Sequence, residues 1–93
     1  MTYDLSPEYD SRQSFYGKAR VEEGDNTATL YSYDTKVVEI RKIAEDDVQV
    51  VLFNVPKLFS KTTTRHIKEF LKQNGLQADS VAQIKRDYEI VEV

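Results

Sequence analysis

The strongest constraint on the fold is a series of four short segments with strand character, joined by only a few polar residues. Apolar and polar residues alternate through residues 15–22, and β-branched, aromatic or apolar residues dominate residues 27–33, 36–42 and 48–55. The alternation has the period of two that a half-buried strand shows. Connections this short cannot make the crossover that parallel neighbours need. The sequence therefore predicts an antiparallel meander of about four strands.

The hydrophobic pattern then changes to a helical period, which predicts one main helix over residues 61–74. Ser60 and the three threonines at 62–64 are candidate N-caps for it. Gly75 is typical of the left-handed residue that follows a helix. Strands followed by helices are typical of an α+β domain, in which this helix packs on one face of the sheet.

A short second helix is predicted after Ser80, which stands three residues before Gln83 as in a capping box. Residues 88–93 are β-branched enough to add a last short strand. Residues 1–14 show little periodicity, and we expect them to form a flexible or loosely docked arm. The single α+β domain is then predicted to cover residues 15–93.

The composition indicates a soluble protein without catalytic or metal-binding signatures. The chain has 93 residues and no cysteine, which excludes disulfides and thiolate zinc sites. Its three glycines are scattered and form no phosphate-binding loop. The single histidine, His66, has no catalytic partner at a recognisable spacing and is predicted to be a packed or rim residue. With no secretion signal and no membrane-spanning run, we predict a cytoplasmic, non-enzymatic protein without cofactor, metal or membrane.

The main helix carries the clearest candidate site, a basic face. Six basic and two acidic residues lie between positions 61 and 86, although the whole chain has a net charge of −3. At 100° per residue, four cations fall on the side opposite the apolar residues: Lys61, Arg65, Lys68 and Lys72. This face either contacts an anionic partner or is a solvated surface of good helix formers.

Tyrosines and acidic turns are further candidates. Tyr31 and Tyr33 are predicted to share one strand face, with Tyr16 on a neighbouring strand. On the face away from the helix they would form an aromatic patch for a partner or a base, and on the inner face they would belong to the core. The acidic residues at 22–25 and 45–47 form a negative rim if both turns lie at one end of the sheet, or serve only the local turns.

Three stretches of the sequence are similar to a known family: SFYGKA at 14–19, LYSYDTKV at 30–37 and TTTRHIKEFLKQ at 62–73. Through these stretches the chain resembles a family of short, uncharacterised proteins of bacteriophages and bacterial mobile elements. The family is known only as a domain of unknown function. The resemblance covers about residues 15–88 and transfers no catalytic or binding residues. It implies a small phage-type protein that binds a host macromolecule, in its sharpest form an inhibitor of a host defence system such as a CRISPR effector.

Two functions are therefore predicted. The first is a binding module that engages a host protein through the basic helix face, the tyrosines or the acidic turns. The alternative is a nucleic-acid or nucleotide-binding module that uses the same cations together with exposed tyrosines. Salt dependence separates them, because phosphate contacts weaken steeply as salt rises. An exposed edge strand presents unpaired backbone groups to a second copy of the chain, so a homodimer is a further alternative.

Overall fold

The strands follow one another in the sheet in the order in which they occur in the chain. The computed structural model describes all 93 residues and gives the order β1-β2-β3-β4-β5-β6. The elements are β1 (Thr2–Asp4), β2 (Ala19–Glu23), β3 (Thr27–Ser32), β4 (Thr35–Ala44), β5 (Asp47–Asn54), α1 (Lys61–Gln73), α2 (Val81–Asp87) and β6 (Glu89–Glu92). The α+β class and both helices are confirmed, and β2 to β5 form the antiparallel meander. Neither helix is long and apolar enough to cross a membrane.

The sheet has six strands and not about four, because a strand is added at each edge of the meander, and β6 confirms the last short strand predicted within residues 88–93. Strand β1 pairs antiparallel with β2, and all three of its residues are exposed, so it has no hydrophobic pattern to find. Strand β6 pairs parallel with β5, which the long connection through α1 and α2 makes possible. Both edges are short, three and four residues, which limits pairing with another chain.

The inner face of the sheet is apolar because the register aligns buried residues across four strands. Val21 pairs with Leu30, Leu30 with Val38, and Val38 with Leu52, and all four side chains are fully buried. Helix α1 covers this face with its own fully buried residues Ile67, Phe70 and Leu71. Each such side chain stabilises the fold by about 1.5–3 kcal/mol through the area it removes from water. This packing fixes the rotation of α1, so its polar side faces outward.

Residues 1–14 contact the rest of the fold at several points. Leu5 is buried in the core, and its backbone N–H donates to the carbonyl oxygen of Ala19 at 2.9 Å. The N–H groups of Tyr9 and Asp10 donate to a side chain of α1. These contacts are typical of a docked segment. The flexibility expected for residues 1–14 stays a prediction, which amide hydrogen exchange would test.

The predicted strands 27–33 and 36–42 leave Asp34 and Thr35 as the turn, but the turn between β3 and β4 lies one residue earlier. Tyr33 and Asp34 occupy the two central positions, with φ of 51° and 64°. Two positive φ angles define the type I′ turn, whose twist matches that of the flanking strands. The usual residues there are Asn-Gly, and an aromatic residue gives no signal for this conformation.

We predict that the Asp34→Gly variant has a free energy of unfolding about 1 kcal/mol higher than that of the Asp34→Ala variant. Both variants remove the exposed Asp34 carboxylate, which pairs with Arg20, so the loss of that ion pair cancels in the comparison. Only alanine keeps the steric cost of a positive φ. Urea unfolding of Asp34→Gly and Asp34→Ala measures the difference, and equal stabilities would contradict a strained turn.

Candidate binding site on helix α1

One side of helix α1 lines a shallow groove of about 760 Å³. The groove, which we call the basic groove, contains all four cations of the predicted basic face: Lys61, Arg65, Lys68 and Lys72. Tyr9 and Asp10 from the N-terminal segment form part of its wall, together with Phe59 and Val81. The structure therefore brings the four predicted cations together in one concave surface that also has apolar residues.

Local sequence determines where α1 begins and which side it shows to solvent. The Ser60 hydroxyl accepts the backbone N–H of Thr63 at 3.3 Å, so Ser60 is the N-cap among the candidates. Gly75 follows the helix with φ of 74°, as its position predicts. Because these signals are local, the helical period places the cations correctly before any tertiary contact is known.

The groove keeps three cations without acidic partners. Arg65 donates to the Asp10 carboxylate at 3.0 Å, and both side chains are partly buried. None of the three lysines of the groove forms an ion pair. The groove is therefore positive overall, with Asp10 offsetting one of its four charges.

Glu69 holds the segment that supplies Asp10, a role that no sequence pattern predicts. Its side chain is only 1% exposed, although the helical period places it next to Arg65 and nearly opposite Ile67. One carboxylate oxygen accepts the backbone N–H groups of Tyr9 and Asp10, each at 2.9 Å. The other accepts the side-chain amide of Gln73 at 2.6 Å. No spacing rule signals this burial, because the N-terminal segment and not the sheet covers this side of α1.

The tyrosines do not form the predicted common face. Tyr31 lies on the outer face of the sheet, where the Arg20 guanidinium sits 4.4 Å from the centre of its ring. Tyr33 lies in the turn, half exposed, and its ring centre is 5.9 Å from that of His66 on the helix side. The expectation of a shared face was wrong because the turn takes Tyr33 out of the strand. Tyr16 lies in another turn, before β2.

The two acidic turns lie at the same end of the sheet, since β2–β3 and β4–β5 are successive hairpins of one meander. This end is opposite the Tyr33–Asp34 turn. No group of three or more histidine, aspartate or glutamate side chains comes together there or elsewhere as metal ligands. The arrangement is a negative rim without a cation site.

His66 was predicted to be either a packed or a rim residue, and it is packed in the core. It is fully buried, with Nδ1 2.8 Å from the Ser32 hydroxyl oxygen, which is itself 3.1 Å from the Thr63 hydroxyl. The ring of Phe15 meets the imidazole edge-on at 4.7 Å between centres. Burial lowers the pKa of His66, and the negative charge of Asp10 opposes this to a smaller extent. The imidazole is neutral, and its Nε2 has no hydrogen-bond partner.

Residues 3–87 match the family of unknown function DUF8033. The chain belongs to this family. The match extends from β1 to the end of α2, so it includes every residue that lines the basic groove in this DUF8033 protein. No curated protein and no solved structure is significantly similar to the chain.

Proposed function

We propose that this protein is a non-catalytic binding module whose basic groove holds an acidic segment of a partner protein. The observation that carries the proposal is the combination of three unpaired lysines with Tyr9, Phe59 and Val81 in one groove. Protein interfaces join apolar and aromatic contacts to complementary charge in this way. The lysines attract the acidic segment, and the apolar residues give the complex affinity that salt does not screen.

The biological setting belongs to the same proposal. The three stretches that resemble proteins of bacteriophages and mobile elements favour a phage-type accessory protein. Such a protein acts in the cytoplasm of a bacterial host and binds a host protein there. A component of a defence system, such as a CRISPR effector, is the partner that this setting favours, by analogy rather than by chemistry.

The surroundings of His66 support a non-catalytic protein. Ser32 and His66 are 2.8 Å apart, a distance found in serine nucleophile and base pairs. However, the Ser32 hydroxyl also hydrogen-bonds the Thr63 hydroxyl at 3.1 Å, so it belongs to a buried chain of hydrogen bonds. No carboxylate orients the imidazole, because its second nitrogen has no partner. The pair is better explained as a hydrogen-bonded part of the core.

A nucleic-acid module is the second candidate, favoured by the row of four cations along one helix. Two features make it less favourable than an acidic protein segment. Asp10 lies in the groove and would face the phosphates. The negative rim and the net charge of −3 also repel a long polyanion.

The test is a pull-down from lysate of a bacterial host, with and without nuclease, using a Lys68→Glu/Lys72→Glu variant. We expect a partner that survives nuclease and that the variant binds about tenfold more weakly or worse, because the groove then repels acidic groups. The matched control is Lys36→Glu/Lys42→Glu, which changes net charge equally on strand β4 and should bind as the wild type does. Equal binding by both variants would exclude the groove as the site.

Salt dependence of the purified complex separates the two candidates. Four phosphate contacts predict a loss of affinity of about a hundredfold between 50 and 200 mM salt. A protein interface with an apolar centre should lose far less over the same range. A steep loss, together with a partner that disappears on nuclease treatment, would favour nucleic acid over the proposed protein segment.

A further inference from the structure

A second, smaller cavity lies beside the first half of α1 and has an unusual concentration of positive charge. Its volume is about 130 Å³, and we call it the His66 cavity. Three cations line it, Arg12, Lys18 and Arg65, and no acidic side chain does. The remaining wall comes from Ser14, Phe15, Tyr16, Tyr33, Thr62 and His66. Asp10 pairs with Arg65, but Arg12 and Lys18 form no ion pair, so two neighbouring charges repel each other unless an anion lies between them.

His66 adds an unpartnered polar atom to this wall. Its Nδ1 is engaged by Ser32, which lies outside the cavity, so Nε2 is the nitrogen left for a ligand. Buried polar atoms nearly always have a partner, and an exception requires an explanation. When Thr63 donates to the Ser32 oxygen and Ser32 donates to Nδ1, the neutral ring carries its proton on Nε2. That N–H is then a donor without an acceptor.

The backbone around the cavity is also unusual. Four non-glycine residues in the chain have positive φ, and two of them, Tyr16 at 54° and Tyr33 at 51°, line this cavity. Left-handed conformations of bulky residues are costly and concentrate at ligand sites. The Tyr33 turn places its ring beside His66, 5.9 Å between ring centres, and the Tyr33 hydroxyl is able to donate a hydrogen bond.

We infer that the His66 cavity binds a phosphate group, either free phosphate or the terminal group of a phosphomonoester. Arg12, Lys18 and Arg65 supply the opposing charge. The Thr62 hydroxyl and the His66 Nε2–H supply donors from the helix. A volume of 130 Å³ equals about four water molecules at about 30 Å³ each, which suits one oxyanion. Pockets for larger ligands start at about 300 Å³, so a nucleoside does not fit inside.

This inference goes beyond the proposed function, because it concerns another cavity and another ligand. Only Arg65 lines both sites. Arg65 lies between the two sites, and its hydrogen-bond partner Asp10 lines only the basic groove. The inference can therefore be tested with a small ion alone, whether or not the groove binds a protein segment.

The test is NMR titration of the full chain with inorganic phosphate at constant ionic strength, with sodium chloride as the reference ion. We expect saturable shifts at the amides of Arg12 to Lys18 and of Thr62. The side-chain nitrogens of His66 should shift with the same dissociation constant, because Nε2–H gains an acceptor. Shifts confined to Lys61, Lys68 and Lys72, or shifts equal to those with chloride, would overturn the inference. So would His66 nitrogens that do not move at saturation.

Variants make the test specific. Arg12→Gln and Lys18→Gln alter exposed side chains, so they should fold normally while weakening phosphate affinity about tenfold each. Lys42→Gln, which removes the same charge far from the cavity, should leave the affinity unchanged. If all three variants lose affinity equally, phosphate responds only to net charge, and the cavity is not a site.

A parallel titration with phosphoserine, and with serine as its blank, identifies the source of the phosphate group. Tighter binding of phosphoserine than of inorganic phosphate assigns the site to a phosphomonoester. Equal binding assigns it to the free oxyanion. Binding of serine alone would show that the phosphate group is not what the cavity recognises.

Discussion

Replacement of Glu69 by alanine is expected to lower the free energy of unfolding by about 3 kcal/mol. The carboxylate is buried and accepts three hydrogen bonds, two of them from backbone N–H groups of the N-terminal segment. Alanine cannot accept any of these bonds, so the N–H groups of Tyr9 and Asp10 either stay unpaired or undock. The substitution also leaves a small cavity beneath the N-terminal segment. Urea unfolding at neutral pH measures the loss.

Glu69→Gln separates the hydrogen bonds from the packing. Glutamine fills the same volume and keeps one oxygen for the two backbone donors. Its amide nitrogen, however, is a donor that faces the Gln73 amide donor, so that hydrogen bond is lost. We expect a loss of only about 1 kcal/mol. Glu89→Ala, on the exposed edge strand β6, should stay within about 0.5 kcal/mol of the wild type. A Glu69→Ala variant as stable as Glu89→Ala would show that the N-terminal segment is not held by Glu69.

The same variant tests the expected flexibility of residues 1–14. If Glu69 is what docks this segment, amide hydrogen exchange at Tyr9 and Asp10 is slow in the wild type and fast in Glu69→Ala. Exchange that is already fast in the wild type would favour the flexible arm. Asp10 lies against Arg65, so undocking also removes the one negative charge from the basic groove.

The elements that could be predicted from the sequence are those defined by local signals. Strand β2 follows from a period of two, and β3 to β5 follow from their β-branched, aromatic or apolar residues. Helix α1 follows from its period together with Ser60 and Gly75 at its ends. The four cations of the groove were placed on one side by the same helical period. That they bind a partner remains a proposal.

The features that escaped prediction depend on contacts between residues far apart in the chain. Strand β1 has no apolar pattern and is defined only by its pairing with β2. Glu69 accepts from a segment about 60 residues earlier, and no spacing rule connects them. The His66 cavity combines residues of the segment before β2 and of the turn after β3 with α1, so its charge cannot be seen along the sequence. Tyr33 was misplaced because aromatic residues seldom adopt positive φ.

The stability of the fold is expected to decrease as the pH falls from about 7 to 5, because of His66. Burial lowers the pKa of this imidazole in the folded state, so the folded protein keeps it neutral where the unfolded chain takes up a proton. The unfolded pKa is about 6.5. Stability is therefore complete above that value and is lost as the pH falls toward the lower folded pKa. One extra proton on the unfolded chain corresponds to a slope of at most about 1.4 kcal/mol per pH unit.

The charges around His66 act in opposite directions on this slope. Arg12, Lys18 and Arg65 line the same cavity and disfavour an imidazolium, whereas Asp10 favours it. Urea unfolding from pH 7.5 to 5 measures the slope, and His66→Gln provides the control because the chain has no other histidine. The variant should show a nearly flat profile in this range, since carboxylates titrate mainly below it. A wild-type profile as flat as that of the variant would mean that His66 takes up its proton in the folded state as easily as in the unfolded chain. In that case the imidazole would carry a charge at pH 5, and the neutral donor assigned to Nε2 would hold only above its pKa.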